Sequence, residues 1–282
     1  MNSFHYQGHT LTWDEHSTGE HTFIFIHGYS ASRQSWEPLL HYFIPLGRCV
    51  TLDLPGHGYA QTPADYNHLP QEFFINLETE AVRQISGGGP VTLIGHSTGG
   101  LVALSVATRL PQLVKRAVSI DGVIWGPLTG LLGFAHWLLR NRLYPVFWAL
   151  WAFTQINPWT MMFGIGFYVH DLNAHWNNAL AWEACRSTHP IYVKQDLNKL
   201  AILLNFLEIC DLRPLLCALK VPVLAITGDK DPVVPPLEAH WLAENLPNAQ
   251  LLAFPGLGHV PNWEAEKDCH VAILDWLAKN PV

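Results

Sequence analysis

Charged side chains are scarce in this sequence. Asp, Glu, Lys and Arg make up 14% of the 282 residues, against 49% for hydrophobic residues. Such a chain can bury a sizeable core, which excludes a disordered protein. The formal net charge is −7, and the 16 Lys and Arg residues are scattered along the chain. Because phosphate binding needs clustered basic residues, we expect no nucleic-acid partner.

Cysteine and long hydrophobic runs are also scarce. The five cysteines form no Cys-x-x-Cys pair and lie far apart, which favours reduced thiols in a cytosolic protein over disulfides or a metal site. The most apolar stretch, Leu143 to Phe153, has only about half of the ~20 residues that a membrane-spanning helix needs. The stretch from Met1 to Glu15 lacks the basic and apolar regions of a signal peptide. These features favour a cytoplasmic protein.

Strand-like and helix-like patterns alternate along much of the chain. Strands buried on both faces of a parallel sheet are continuous apolar runs, and five such runs occupy residues 22–26, 49–52, 91–94, 117–120 and 221–227. Helical spacing of apolar residues covers 72–85, 101–110 and 262–278, and residues 4–13 favour an edge hairpin. The alternation predicts an α/β fold with a mostly parallel, doubly wound sheet.

The alternation stops in one central segment. Residues 122–210 contain apolar helical stretches instead of strand-like runs, so we predict a helical cap inserted into a core formed by 1–121 and 211–282. Seven tryptophans lie in this segment: Trp125, Trp137, Trp148, Trp151, Trp159, Trp176 and Trp182. They could line a deep apolar pocket, or they could pack the segment against itself and the core. An apolar cap could also touch a lipid surface, but without a basic amphipathic helix this is the less favoured interpretation.

One short motif carries a specific chemical prediction. Gly95-His96-Ser97-Thr98-Gly99 follows the apolar run 91–94 and opens a helix. A serine in a strand–turn–helix setting is typical of a nucleophile elbow, where small neighbours let strand and helix approach closely. The helix N-terminus also favours negative charge on a reacting oxygen. Ser97 is therefore a candidate nucleophile, and His96 is expected to pack behind the elbow.

A serine nucleophile needs a base and an orienting acid, and both have candidates further along the chain. Asp231 lies in a loop after the run 221–227, and His259 follows in Gly256-Leu257-Gly258-His259. The order serine, acid, histidine is the one used by hydrolases with this kind of elbow. Asp229 and Asp121 are rival candidates for the acid. The remaining histidines, such as His57, are expected to be surface or satisfied core residues.

Together these features resemble the α/β-hydrolase superfamily, in its serine-nucleophile, esterase- or lipase-like branch. The resemblance covers nearly the whole chain outside the cap. Its blocks are His27-Gly28, Asp53-Leu54-Pro55-Gly56-His57-Gly58, the elbow at Ser97, and the loops at Asp231 and His259. It implies the α/β-hydrolase fold, with Ser97 as nucleophile, His259 as general base and then acid, and Asp231 as the orienting acid.

The resemblance implies more about the chemistry. The backbone N–H groups of Tyr29 and Thr98 would form an oxyanion hole, and no metal or organic cofactor is needed. Relatives that open epoxides or displace halide have an Asp at the position of Ser97, so the serine argues against both activities. We expect hydrolysis of a small apolar-acyl or aromatic ester. A carbon–carbon bond hydrolase, a cofactor-free peroxidase or perhydrolase, and a ligand receptor without activity stay open as alternatives.

Overall fold

The computed structural model of the protein describes residues 1–282. Its strands are β1 (Asn2–Tyr6), β2 (His9–Glu15), β3 (Thr22–Ile26), β4 (Arg48–Leu52), β5 (Val91–His96), β6 (Val114–Ile120), β7 (Val223–Gly228) and β8 (Ala249–Phe254). They form one sheet in the order β1-β2-β4-β3-β5-β6-β7-β8. The pairs β1–β2 and β2–β4 are antiparallel, and all the others are parallel. The predicted α/β class with a mostly parallel sheet is confirmed.

Twelve α-helices surround this sheet or extend beyond it. They are α1 (Gln71–Ser86), α2 (Thr98–Arg109), α3 (Gly130–Arg140), α4 (Tyr144–Gln155), α5 (Pro158–Ile165), α6 (Leu172–Asn177), α7 (Ala179–Tyr192), α8 (Leu197–Ile209), α9 (Arg213–Leu216), α10 (Leu237–Asn245), α11 (Pro261–Glu264) and α12 (Glu266–Lys279). Two 3₁₀ helices, Arg33–Tyr42 and Ile44–Leu46, connect β3 to β4. None of the helices has the combination of length and hydropathy that spanning a bilayer requires.

The central strand β3 shows how the sheet divides the core into two layers. All five of its residues are buried, and alternate side chains of a strand point to opposite faces. Ile24 and Ile26 pack into a large cluster with residues of α1 and α2. Phe23 and Phe25 pack into a second cluster with residues of the first 3₁₀ helix and α12. Burial on both faces explains why β3 is a continuous apolar run.

Some predicted boundaries differ from those in the structure. The run 22–26 coincides with β3, whereas the strand predicted at 221–227 is shifted to Val223–Gly228. The closing helix is divided at Ala265, where φ is −129° and ψ is 54°, into α11 and α12. The sequence analysis missed β8 and α10 altogether. Both elements are only partly buried; β8 contains the four-residue apolar run 251–254, which was not among the predicted strands.

Candidate active site

Ser97 lies in the sharp turn between β5 and α2. Its φ of 55° and ψ of −117° are rare for a residue with a side chain, and such a backbone costs on the order of 1–3 kcal/mol. The flanking glycines allow the close contact. A Cβ on Gly95 would lie 2.0 Å from the carbonyl oxygen of Gly99, and one on Gly99 would lie 2.1 Å from that of Ile26. The predicted strand–turn–helix setting of the motif is confirmed.

The side chains of Ser97, His259 and Asp231 form one hydrogen-bonded row. Ser97 Oγ lies 3.0 Å from Nε2 of His259, and Nδ1 of His259 lies 2.7 Å from Oδ2 of Asp231. All three residues are buried, with 8% exposure at most. A carboxylate can only accept, so Nδ1 carries the proton and Nε2 is free to accept from the serine hydroxyl. The structure therefore brings together the three residues that the sequence selected.

Backbone donors fix the carboxylate of Asp231 in place. Its Oδ1 accepts hydrogen bonds from the N–H groups of Val233, at 2.7 Å, and Val234, at 3.0 Å. Because its other oxygen faces His259, both oxygens of the carboxylate have partners. This arrangement holds the imidazole ring in one orientation and one tautomer.

The two rival carboxylates have other partners. Asp229 accepts a hydrogen bond of 2.6 Å from the N–H of Gly256, and its side chain is 41% exposed. Asp121 is buried, and its Oδ1 accepts from the N–H of Gly228 at 3.1 Å. Its Oδ2 has no hydrogen-bond partner. Burial, together with the negative charge of Asp231, raises the pKa of Asp121 well above its ordinary value.

His96 supports the histidine loop from behind. Its Nε2 lies 2.7 Å from the backbone carbonyl oxygen of His259. Burial lowers the pKa of His96 to about 3, so the ring is neutral and Nε2–H is the donor. The expectation that His96 packs behind the elbow is confirmed. On the other side of the loop, the N–H of His259 donates to the carbonyl of Tyr168 at 2.7 Å.

Glu264 joins the same loop to the helical segment. Its Oε1 accepts from the N–H of Gly258 at 2.8 Å, and its Oε2 accepts from the N–H of His170 at 2.9 Å. Glu264 is the last residue of α11, and a single glutamate there has no distinctive pattern in the sequence, so it was not predicted. The position of His259 thus depends on contacts from both the core and the helices between β6 and β7.

Two backbone N–H groups beside Ser97 have no acceptor in the protein. They belong to Tyr29 and Thr98, the two predicted oxyanion donors. Buried N–H groups without a partner are rare in proteins. Thr98 is the first residue of α2, where helix geometry provides no acceptor within the helix. Both donors are therefore available to a ligand atom near Ser97.

The loop that carries Tyr29 is braced by two motif histidines. The N–H of Ser30 donates to Nε2 of His57 at 3.0 Å, and the N–H of Leu54 donates to Nε2 of His27 at 3.1 Å. Burial lowers the pKa of His27 to about 4 and that of His57 to about 3. Both rings are therefore neutral and can accept. These hydrogen bonds join the sequence block at His27-Gly28 and its loop to the block at residues 53–58.

A buried ion pair that sequence reasoning missed lies under this loop. The Arg33 guanidinium, which is 2% exposed, donates to Asp53, to Oδ2 of Asp14 at 2.7 Å and to Oγ1 of Thr12 at 3.1 Å. Asp53 also accepts from the N–H of Tyr59 at 3.1 Å. A paired and hydrogen-bonded charge can be buried without a large penalty. No spacing in the sequence connects Arg33 to Asp53.

A large apolar cavity opens above Ser97. It has an empty volume of about 1000 Å³, including the part open to solvent, and 13 of its 23 lining residues are hydrophobic. Met161, Met162 and Ile165 of α5 contribute to its wall. Four buried polar atoms of the wall have no partner in the protein: Tyr29 Oη, Trp36 Nε1, Thr188 Oγ1 and Asn262 Oδ1. The cavity is therefore mainly apolar with a few polar groups, as small-molecule sites commonly are.

A second cavity lies beside the first, between helices α3, α4 and α5. Its empty volume is about 710 Å³, and 12 of its 15 lining residues are hydrophobic. The two cavities share six residues: Tyr29, Ser30, Leu132, Met161, Ile165 and Tyr168. The two cavities are therefore neighbours, and the second extends the apolar lining into the helical segment.

Tryptophans contribute little to these walls. Of the seven in residues 122–210, Trp151 lines the second cavity and none lines the first. The hypothesis that these tryptophans form the pocket over Ser97 is therefore wrong, and only Trp151 lines the neighbouring cavity. Trp137, Trp148 and Trp159 are each at least half exposed, so they do not pack into the interior either. Their indole rings lie on the surface of the protein.

One trio of side chains in this region could be considered for metal binding. Potential ligand atoms of His96, Asp121 and His259 lie within 4.8 Å of one another. However, both ring nitrogens of His259 are hydrogen bonded, to Ser97 and to Asp231. A metal ion would have to displace this arrangement, so we assign the trio to the hydrogen-bond network.

The fold and the site agree with one protein family. A family model described as the alpha/beta hydrolase fold matches residues 21–266. The chain therefore belongs to the α/β-hydrolase family, and the predicted resemblance and hydrolase class are confirmed.

Two relatives and one solved structure illustrate this membership. A pimeloyl-[acyl-carrier protein] methyl ester esterase from Aromatoleum aromaticum is 30% identical over 271 residues, which cover 89% of this chain and 96% of that protein. An (E)-2-((N-methylformamido)methylene)succinate hydrolase from Acinetobacter baylyi is 33% identical over 114 residues, only 40% of this chain and 42% of that protein. A thermophilic esterase from Thermogutta terrifontis has a TM-score of 0.71 at 21% identity, covering 97% of this chain and 95% of that one. At that identity, the similarity concerns the fold.

Proposed function

We propose that this protein hydrolyses carboxylic esters with an apolar acyl part, through an acyl-enzyme on Ser97. One observation carries the proposal: a buried Ser97–His259–Asp231 row lies beside two unpartnered backbone donors, at the base of an apolar cavity. The row supplies a nucleophile and a base, the donors can stabilise negative charge, and the cavity selects the substrate.

The first half of the reaction forms the acyl-enzyme. Ser97 Oγ attacks the ester carbonyl carbon while Nε2 of His259, 3.0 Å away, takes the hydroxyl proton. The carbonyl oxygen becomes an oxyanion, to which the N–H groups of Tyr29 and Thr98 donate. Asp231 stabilises the imidazolium through its bond to Nδ1. His259 then protonates the leaving alkoxide, and the alcohol departs.

The second half of the reaction releases the acid. A water molecule gives a proton to Nε2 of His259 as it attacks the acyl carbon. The same two N–H groups stabilise the second oxyanion. Collapse of this intermediate breaks the bond to Ser97, and the imidazolium returns its proton to the serine oxygen.

The two neighbouring cavities favour a substrate with an apolar acyl part. Each methylene group moved from water into an apolar environment contributes about 0.8 kcal/mol, so walls of Leu, Met and Phe side chains favour an aliphatic chain or an aromatic ring. The relative from Aromatoleum aromaticum is named for a methyl ester of an aliphatic acyl group, which agrees with this substrate class.

Residues 122–210 act as a cap in this proposal. Side chains of α3 and α5 line the cavity above Ser97, and the carbonyl of Tyr168 accepts a hydrogen bond from the N–H of His259. The segment thus forms one wall of the binding site and also supports the base. Excluding water from such a site strengthens the interactions with the oxyanion.

The test is turnover of a panel of p-nitrophenyl esters from acetate to decanoate. We expect Ser97→Ala to lose at least about a thousandfold in kcat/KM. Ser35→Ala is the matched control, because Ser35 lines the same cavity but its hydroxyl donates to the carbonyl of Ser32. Equal loss in both variants, or full activity of Ser97→Ala, contradicts the proposal. Tight ligand binding without any turnover would favour the receptor hypothesis.

A further inference from the structure

A continuous stretch of the helical segment exposes large apolar side chains to solvent. We define the apolar face by twelve residues that are each 39–65% exposed: Phe134, Trp137, Leu143, Tyr144, Val146, Trp148, Leu150, Phe153, Ile156, Trp159, Phe163 and Phe167. They are more than half of the 22 exposed large hydrophobic residues, although residues 134–167 are about an eighth of the chain. Large contiguous patches of this kind mark interaction sites rather than ordinary surface.

Helix α4 lies at the centre of this face. It contains no charged residue, and only Phe147 is buried. A helix with apolar residues on all sides is normally covered by protein or lipid. The neighbouring rings are in mutual contact, since Phe163 packs against Phe153 at 5.8 Å, Trp159 at 5.9 Å and Phe167 at 5.5 Å between ring centroids. Two further pairs, Phe134 with Trp137 and Tyr144 with Trp148, lie at 5.8 and 6.5 Å.

Within the segment that forms the face, the charged side chains have one sign; Glu208 of α8 lies beside Phe134 and Trp137 but pairs with His136. Between residues 122 and 170 the only charged side chains, apart from histidines, are Arg140 and Arg142, and no Asp or Glu occurs there, although the whole chain has a net charge of −7. Both arginines are exposed between α3 and α4, and neither makes an ion pair. Tryptophan and tyrosine with flanking arginines are enriched where proteins meet lipid headgroups. An anionic lipid surface complements both the rings and the charges.

The face is also continuous with the cavities described above. Phe134 and Leu150 belong to the apolar face, and both line the second cavity. That cavity shares Leu132 and Ile165 with the cavity above Ser97. The apolar face, the second cavity and the cavity above Ser97 are therefore neighbours in the structure.

We propose that the apolar face docks this protein on lipid bilayers that contain anionic headgroups. The aromatic side chains enter the interfacial region, and Arg140 and Arg142 meet the negative headgroups. The docking itself does not depend on the proposed esterase activity. A lipid ester could enter the second cavity from the bilayer beside Phe134 and Leu150. Only this entry of a substrate rests on the proposed function.

Vesicle flotation tests the docking directly. Ser97→Ala protein is mixed with vesicles of phosphatidylcholine alone or with 30% phosphatidylglycerol, so that binding is measured without ester turnover. We expect flotation with the anionic vesicles and at least a tenfold loss of the partition coefficient when Trp148→Ser and Phe163→Ser are added. Val271→Ser is the matched control, because Val271 is 43% exposed on α12, outside the face, and should change nothing.

The arginines give a second readout. Arg140→Gln should lower the partition coefficient on anionic vesicles about fivefold, and Arg142→Gln should do the same, with no effect on neutral vesicles. Circular dichroism of each variant establishes that it is folded. Absence of flotation by the folded parent protein, or flotation unchanged by the face variants, overturns the proposal. A dimer in solution that Trp148→Ser dissociates would also overturn it, because the face would then belong to a second copy of the chain.

Discussion

The Asp231 carboxylate accepts a hydrogen bond of 2.7 Å from Nδ1 of His259, whereas the Asp229 carboxylate, two residues earlier, accepts one of 2.6 Å from the N–H of Gly256. Both residues follow β7, and the sequence alone offers either as the orienting acid. Their contacts separate the two roles. Asp231 faces the histidine ring, and Asp229 accepts a hydrogen bond from the loop after β8.

This difference predicts that one of two matched substitutions lowers kcat strongly and that the other leaves it almost unchanged. Asp231→Asn should lower kcat for a p-nitrophenyl ester by about 10³- to 10⁴-fold, because an amide cannot hold His259 in the required tautomer. Asp229→Asn keeps an oxygen that can accept from the N–H of Gly256, so kcat should change less than threefold. Steady-state kinetics with folded protein measure both. A larger loss in Asp229→Asn would show that the acid is misassigned.

A second prediction concerns Asp121, whose pKa is raised by burial and by the charge of Asp231. Oδ1 of Asp121 accepts from the N–H of Gly228, and Oδ2 has no partner. Asp121→Asn keeps an oxygen that can accept from Gly228 and carries no charge beside Asp231, so it should keep kcat/KM within about threefold between pH 6 and 8, whereas Asp121→Ala should lose about tenfold. If Asp121→Asn is as inactive as Asp231→Asn, the residue acts as a charged carboxylate instead.

A third prediction links stability to pH through Glu78. This glutamate on α1 is buried, neither of its oxygens has a partner, and burial raises its pKa from 4.5 to about 8. Its neutral form therefore contributes stability that is fully present below pH 4.5 and is lost as the pH rises towards 8, since the unfolded chain gives up the proton first. The free energy of unfolding should fall by about 1.4 kcal/mol per pH unit in this window.

Urea unfolding of Glu78→Gln at pH 5 and pH 7.5 measures this contribution. The variant stays uncharged, so its loss of stability between the two pH values should be smaller than that of the parent protein by about 3 kcal/mol. Glu80→Gln is the control on the same helix, with a side chain that is 39% exposed, and should follow the parent protein. The same pH dependence in parent protein and Glu78→Gln would mean that Glu78 finds a partner or water.

A fourth prediction concerns the length of the acyl chain. Ala135 on α3 lines the second cavity, and Ala135→Phe should fill part of it. Each methylene group that loses its place should cost about fourfold in kcat/KM, so decanoate should lose activity and acetate should not. Ala152→Phe is the control, since Ala152 is exposed on α4 and lines neither cavity. A uniform effect on all chain lengths would place the acyl chain elsewhere.

The parts that the sequence predicted well are those with local signals. The run 22–26 is apolar throughout because β3 is buried on both faces. The motif at Ser97 is readable because a Cβ on Gly95 or Gly99 would lie within 2.1 Å of a backbone oxygen, so both positions require glycine. By contrast, β8 lies at the edge of the sheet and is only partly buried, and its short apolar run 251–254 was not predicted as a strand.

The parts that were missed depend on contacts between distant residues. The ion pair of Arg33 with Asp53 and the bonds of Glu264 to two loops arise only when the chain is folded. The tryptophans of residues 122–210 are a third case. Their number suggested a pocket, but hydrophobic residues can also occupy exposed positions, and composition cannot distinguish the two.

The central claim is that Ser97 forms a covalent acyl intermediate, and trapping that intermediate tests it most directly. The protein is mixed with excess p-nitrophenyl octanoate, quenched in acid within milliseconds, digested and analysed by mass spectrometry. The account predicts one octanoyl group on the peptide that contains Ser97, and none in Ser97→Ala. Turnover without an adduct, or an adduct on another residue, would contradict it.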